Sequence, residues 1–289
     1  MDNSPPPPTS LYTLSFFLAL LATLLVASTL RLLAILPNQS SQPQRLRKRP
    51  LATRILVVLG SGGHTHEMLY LLRDLDTKTY THRSYIVSSG DAFSAQRAVE
   101  FEAMFEARAK ADKKSRAEKR ISVGEQRGEK GATSNEDRMP CVGPDHYNVA
   151  TLPRARQIHQ PLYTTPITSL HTLYHAFSPI LSAPPLLPNQ PPQTPHEAAA
   201  CDLPDLIITN GPATAVIVIL ASLVLKFFNI RGAQSRRKCR MVYVESFARV
   251  KSLSLSGKLL VRVVDRFLVQ WEELEGVAGG RAEFWGILV

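Results

Sequence analysis

Cysteine is scarce. Cys141, Cys201 and Cys239 are the only three in 289 residues, and they stand far apart. That spacing excludes a disulfide framework and a CxxC-type metal site, and it suits a reducing, cytosol-facing body. No cluster of His, Cys, Asp and Glu has ligand spacing, so neither a metal nor a cofactor is expected. GxGxxG and Walker sequences are both missing, which removes the motif grounds for assigning a nucleotide. Acid is outnumbered, with 24 Asp and Glu against 34 Lys and Arg and a formal charge of +10. Such a balance attracts nucleic acid, anionic lipid or a phosphorylated substrate, and charge alone does not choose among them. The length fits one or two domains.

Long uncharged runs are also few. Residues 11–30, LYTLSFFLALLATLLVASTL, form one of about the length that crosses a bilayer. Asp2 is the only charged side chain before it, so the basic n-region of a cleaved signal peptide is missing. Arg31 follows at once, then Arg45, Arg47, Lys48 and Arg49. This bias puts the following chain on the cytosolic side and residues 1–10 in the lumen. Residues 31–53 read as a basic tether that can touch anionic headgroups.

The remainder, 54–289, alternates strand and helix. RILVVL at 54–59 is short, apolar and β-branched, as in a parallel strand buried on both faces. A glycine corner follows, then a helix with Met68, Leu71, Leu72 and Leu75 on one side. Further strands are expected at 83–87, 147–152, 205–209, 241–245 and 267–269, about six in all. Helices are expected at 168–181, 213–228 and 254–264. Residues 213–228 read first as a buried core helix, with a helix at the bilayer surface as the alternative. Two stretches break the pattern. Residues 101–138 are crowded with Lys, Arg and Glu and read as a charged insertion, helical at first and then disordered. Its mixed signs argue against a nucleic-acid arm. Residues 183–200 are proline-rich and read as an irregular linker. The fold class is α/β, one Rossmann-like domain with two insertions behind a single anchor.

Ligands of parallel sheets sit beyond the carboxyl ends of the strands. Three segments reach that edge: 60–65, 210–212 and 245–249. Gly60, Gly62 and Gly63 permit a tight turn and close approach of backbone. The helix expected to start near Thr65 offers unpaired amides and a positive dipole end, a place that suits a diphosphate. Ser61 and Thr65 can add hydroxyl donors, and Thr65 can equally cap the helix. His64 can donate to a phosphate, act as base toward a sugar hydroxyl, or hold structure. Glu67 either folds back on the helix amides or faces an acceptor. Glu245 either serves a sugar hydroxyl as base or is structural. Arg249 either neutralises phosphate or faces solvent, Asn210 and Gly211 turn the chain beside the loop, and Arg154 and Arg156 form a second positive patch.

Four segments occur in an order that carries a resemblance: LGSGGHTHEM at 59–68, DLIITNGPATA at 205–215, VYVESFARV at 242–250 and DRFLVQWEEL at 265–274. With the single anchor, they resemble the membrane subunit of the UDP-N-acetylglucosamine transferase of dolichol-linked oligosaccharide synthesis. The resemblance covers most of 54–289 outside the two insertions. It implies the Rossmann-like, acceptor-side half of a split GT-B glycosyltransferase, similar to the bacterial enzyme that adds GlcNAc to a lipid-linked muramyl precursor. It implies a soluble partner that binds UDP-GlcNAc and is recruited to the cytosolic face of the endoplasmic reticulum. Together they would add the second GlcNAc, β1,4-linked, to GlcNAc-diphosphate-dolichol by inversion. The implied acceptor-diphosphate site is Gly60, Ser61, Gly62, Gly63 and Thr65, with Asn210, Gly211 and Arg249 beside it. His64 and Glu245 are the candidates for catalysis. The tail residues Phe284, Trp285, Ile287 and Leu288 are the implied partner contacts, or else they close this domain's own core. Partners would be the soluble subunit, the lipid-linked acceptor and membrane lipid, with no nucleic acid. The rival readings are a membrane scaffold without catalytic residues and a membrane-bound oxidoreductase, which would need the missing dinucleotide fingerprint.

Overall fold

The computed structural model describes residues 9–37, 51–123, 139–156, 160–161, 163–183, 190–211 and 213–288. Residues 1–8, expected to be lumenal, the basic residues Arg45 to Arg49, the second half of the charged insertion, the prolines within 184–189 and Pro212 lie outside them.

In chain order the elements are α1 (Thr9–Ile35), β1 (Thr53–Val58), α2 (Gly63–Leu71), β2 (Tyr80–Ser88), α3 (Ala92–Val123), β3 (Tyr147–Leu152) and α4 (Thr165–Leu181). There follow α5 (Pro195–Cys201), β4 (Leu206–Asn210), α6 (Thr214–Phe227), β5 (Arg240–Val244), α7 (Leu255–Leu260), β6 (Arg266–Val269) and β7 (Ala282–Phe284). All strand pairs are parallel, in the order β3-β2-β1-β4-β5-β6-β7. That is the Rossmann order with one strand appended, and its switch point falls between β1 and β4. Alternation along β1 separates the two faces. Ile55, Val57 and Leu59 pack with α2 and α3 through Met68, Leu72, Phe101 and Phe105. Leu56 and Val58 pack with α4 and α6 through Ala176, Ile180, Val218 and Leu225. The helix expected at 213–228 is therefore a core helix, α6, with Ile217, Val218, Ile219 and Leu225 buried.

Four expectations need correction. The sheet has seven strands rather than about six, because β7 is only three residues long among glycines and carries no readable alternation. The charged segment is helical at first, as expected, but its helix α3 starts upstream at Ala92, and Phe101, Glu102 and Phe105 within it are buried. Their acidic and basic neighbours hid them. The linker 183–200 holds a regular element, since Thr194 accepts from the Glu197 amide and caps α5, with Pro195 at its first position. Finally, residues 31–35 belong to the anchor helix and not to a tether.

The window Tyr12–Ile35 of α1 has mean hydropathy 2.2, and α1 is the one helix among the described residues long and apolar enough to cross a membrane. Arg31 then turns back to the domain. Its guanidinium donates to the carbonyls of Phe227 at 2.9 Å and Lys226 at 3.0 Å, which caps the C-terminal end of α6. Ile35 is buried and Arg281 donates to the Pro37 carbonyl.

Glu102 earns its buried place by pairing. It accepts from Arg83 through both oxygens, at 2.6 and 2.7 Å, and from the Tyr85 hydroxyl at 2.7 Å. Breaking such a buried pair leaves an uncompensated charge. Glu102→Ala should destabilise the chain by about 3–5 kcal/mol, and Arg83→Met combined with Glu102→Leu should recover most of it, read by denaturant unfolding.

Candidate functional site

The carboxyl edge of the sheet gathers helix N-termini, whose first amides have no intrahelical partner. Two of these ends are closed by side chains. Asp91 accepts from the Ser94 amide at the start of α3, and Ser254 accepts from the Gly257 amide at the start of α7. The ends of α2 and α6 have no side-chain cap and no acid in the first turn. These two uncapped ends flank the β1/β4 switch point. Helix α2 begins at Gly63, two residues earlier than expected, so the loop's own amides are its free donors. Gly62 sits at φ 62°, ψ −123°, a backbone region open to glycine alone. Ser61, Gly62 and Gly63 are exposed, and a Cβ on either of these glycines would meet nothing within 4 Å.

The other glycines have a different task. His64 lies between the backbones of Gly60 and Gly211. A Cβ on Gly60 would stand 2.7 Å from the His64 Cβ, and one on Gly211, at φ 79°, would stand 3.1 Å from its ring. Asn210 holds His64 from below, donating to its carbonyl at 2.9 Å. The His64 side chain keeps 29% of its surface open, and its Nδ1 is 3.6 Å from Glu67 Oε2. Glu67 also accepts from the Ser246 hydroxyl at 3.0 Å. Burial pushes the Glu67 carboxyl up, but His64 and Ser246 outweigh it and hold the group below its ordinary range. Glu67 thus reaches across to the 245–249 loop and does not fold back on its own helix. Among the described residues, the buried side-chain atoms without a hydrogen-bond partner are His64 Nδ1, Thr209 Oγ1, Asn210 Oδ1 and Gln270 Oε1. All four belong to this edge, and unpartnered buried polar atoms are rare enough to mark a site.

Some expected ligand groups are turned inward. Thr65 is buried, and its hydroxyl is tied to the Gly60 carbonyl and to the Ser94 hydroxyl, so it stitches α2 to α3. Glu245 is 1% exposed. It accepts from the Ser246 amide, the Ser254 amide and the Ser254 hydroxyl at 3.0–3.1 Å. These contacts engage the carboxylate in shaping the 245–254 loop, the structural alternative expected for it. Asn210 is likewise buried and acts through His64 and Glu67. Arg249 is exposed. Arg154 is spent on the Ser89 carbonyl at 2.8 Å and Arg156 on the Gln160 carbonyl at 3.3 Å. In the tail, Phe284 packs against the core of β5, β6 and α7 and takes the core-closing role. Trp285 and Ile287 are 58% and 59% exposed, and Leu288 lines a small cleft with Glu67, Asn210 and Gln270. Sequence reasoning missed Ser246 and Ser94. The DxxS spacing from Asp91 was the available signal for the latter.

Gly60→Ala should displace His64, lowering the thermal midpoint by several degrees and shifting the His64 imidazole resonance in NMR spectra. Gly63→Ala should leave both unchanged.

Comparison with known proteins finds likenesses over most of the chain. A family model described as "Oligosaccharide biosynthesis protein Alg14 like" matches residues 55–288. A Schizosaccharomyces pombe protein, UDP-N-acetylglucosamine transferase subunit alg14, is 36% identical over 242 residues, 84% of this chain and 86% of that one. The subunit of that name in Aspergillus fumigatus is 37% identical over 245 residues (74% and 96%), and the Homo sapiens subunit is 32% identical over 221 residues (76% of each).

Proposed function

The chain belongs to the Alg14 family, and from that premise we propose that it is the membrane-anchoring, acceptor-side subunit of a UDP-GlcNAc transferase. It is a non-autonomous part of the enzyme: it recruits a soluble subunit that binds UDP-GlcNAc, and together they add the second GlcNAc to GlcNAc-diphosphate-dolichol. The anchor lies in the endoplasmic reticulum membrane with its N-terminus lumenal and the α/β domain cytosolic. A lipid-borne diphosphate cannot leave the bilayer, so its binding half must stay there, while the soluble sugar nucleotide arrives with the other half.

In the reaction the acceptor hydroxyl attacks the anomeric carbon of UDP-GlcNAc. The bond to UDP breaks with its electron pair leaving on the diphosphate, and the hydroxyl proton passes to a base. This chain's part is alignment. The acceptor diphosphate sits on the amides of Gly62, Gly63 and His64, with the α6 end beside it and Ser61 and Arg249 at the rim. His64 donates to a phosphate oxygen from the open part of its ring, its pose set by Gly60, Gly211 and Asn210. Trp285 and Ile287 meet the soluble subunit, and the base is supplied from that side or by His64.

The observation that carries this reading is the pair of uncapped helix ends flanking an exposed glycine loop at the switch point, which a bare scaffold would not need. The test is the complex reconstituted from both subunits. His64→Ala should raise the KM for the lipid-linked acceptor about 10- to 100-fold, the worth of a charge-assisted hydrogen bond, and leave the KM for UDP-GlcNAc unchanged. Unaltered acceptor kinetics in a variant that still recruits its partner would favour the scaffold.

A further inference from the structure

The edge of the sheet opposite the glycine loop has its own constellation. Arg31 stands directly after the exposed, uncharged stretch of α1, and its guanidinium reaches the carbonyls that end α6. The end of α6 therefore lies within one arginine side chain of the anchor helix, near the end of its apolar window at Ile35. This placement rests on the reading of α1 as a membrane span. At that level two apolar side chains face outward, Phe228 at 68% and Ile230 at 39% exposure. Behind them the turn to β5 reads NIRGAQSRRKCR at 229–240, with five basic residues and no acid. Asp202 pairs with Arg236 and Lys238, and Asp205 pairs with Lys238 at 2.7 Å; Asp265 and Glu283 line the same cavity as Arg237, Lys238 and Arg240. The turn's own cations outnumber these carboxylates, and Lys226, Arg266 and Arg281 line the cavity beside them. The turn is also held in a costly shape: Asn229, Arg231, Arg237 and Cys239 all have φ between 51° and 55°. Left-handed non-glycine residues persist where surroundings enforce them, and they concentrate at functional surfaces. Arg231 shows the enforcement, donating to the carbonyls of Leu181 at 2.6 Å and Cys201 at 3.0 Å. The turn borders a cavity of about 950 Å³ that also reaches Leu36 and Pro37, where the anchor leaves the membrane.

We propose that the turn between α6 and β5 is a second membrane contact, in which Phe228 and Ile230 enter the interfacial layer and the basic residues behind them hold anionic lipid headgroups. Apolar side chains backed by cations at the headgroup level are the composition of an interfacial site. The contact is continuous with the span, and its charge complements an anionic leaflet. This contact adds to the Arg31 clamp in setting how the domain stands on the leaflet.

The full-length chain carrying p-benzoyl-phenylalanine at position 228 tests this. It is reconstituted in phosphatidylcholine vesicles with or without phosphatidylserine and irradiated. Lipid adducts at 228 are expected, at least threefold more abundant with phosphatidylserine. Arg237→Ala and Arg240→Ala should each remove most of that gain, with thermal unfolding checked to show that the fold is kept. Carbonate extraction runs in parallel. A chain released by carbonate would end the spanning reading and this proposal together. A chain retained by carbonate whose residue 228 gives no lipid adduct, or adducts to protein only, would overturn the second contact and leave the anchor standing.

Discussion

A parallel sheet wound on both faces sorts helix ends. Every crossover helix begins at the carboxyl edge and returns to the amino edge, so unpaired amides collect at one edge and unpaired carbonyls at the other. This polarity arranges the rest of the molecule. The carbonyl edge draws arginines: Arg54 donates to the Ile180 and Asp202 carbonyls, Arg231 to those of Leu181 and Cys201, and Arg31 to those of Lys226 and Phe227. The amide edge draws carboxylate and hydroxyl, as Asp91 and Ser254 show. What is left at the β1/β4 switch point is two uncapped ends and a glycine loop, which is the chemistry an anion needs.

Arg54 shows how strong the requirement is. It is fully buried in a strand that otherwise reads as apolar, and burial pulls its guanidinium down to about 10. It stays charged near neutrality because the Ser84 hydroxyl and the carbonyls of α4 and α5 surround it. Replacing those carbonyl partners by water is impossible at that depth, so the arginine is what lets α4 and α5 end against β1.

Much of this was legible in the sequence. Strands such as RILVVL and DLIIT are apolar and bounded by breakers, and glycine at the end of the first strand announces a place where backbone is approached. What the sequence hid was long-range. Gly60 and Gly211 are needed for the same imidazole, yet nothing local in either segment says so. Glu245 looks like an active carboxylate because it ends a strand at the right edge; only the folded loop shows Ser246 and Ser254 closing around it. Phe101 and Phe105 were obscured by charged neighbours on the solvent side of one helix, since averaging over a window erases a narrow apolar stripe. Arg31 read as a topology signal, and its second role as a helix cap depends on a partner far along the chain.

The Arg31 cap has a mechanical consequence. No slack separates the last uncharged turn of the span from the carbonyls it grips, so the span and α6 move as one lever. The strands carry the chain about 17 Å from that grip to the glycine edge, at about 3.3 Å per residue. A thicker or thinner bilayer changes the inclination of a spanning helix. Transmitted through the lever, such a change tilts the far edge of the sheet together with the span.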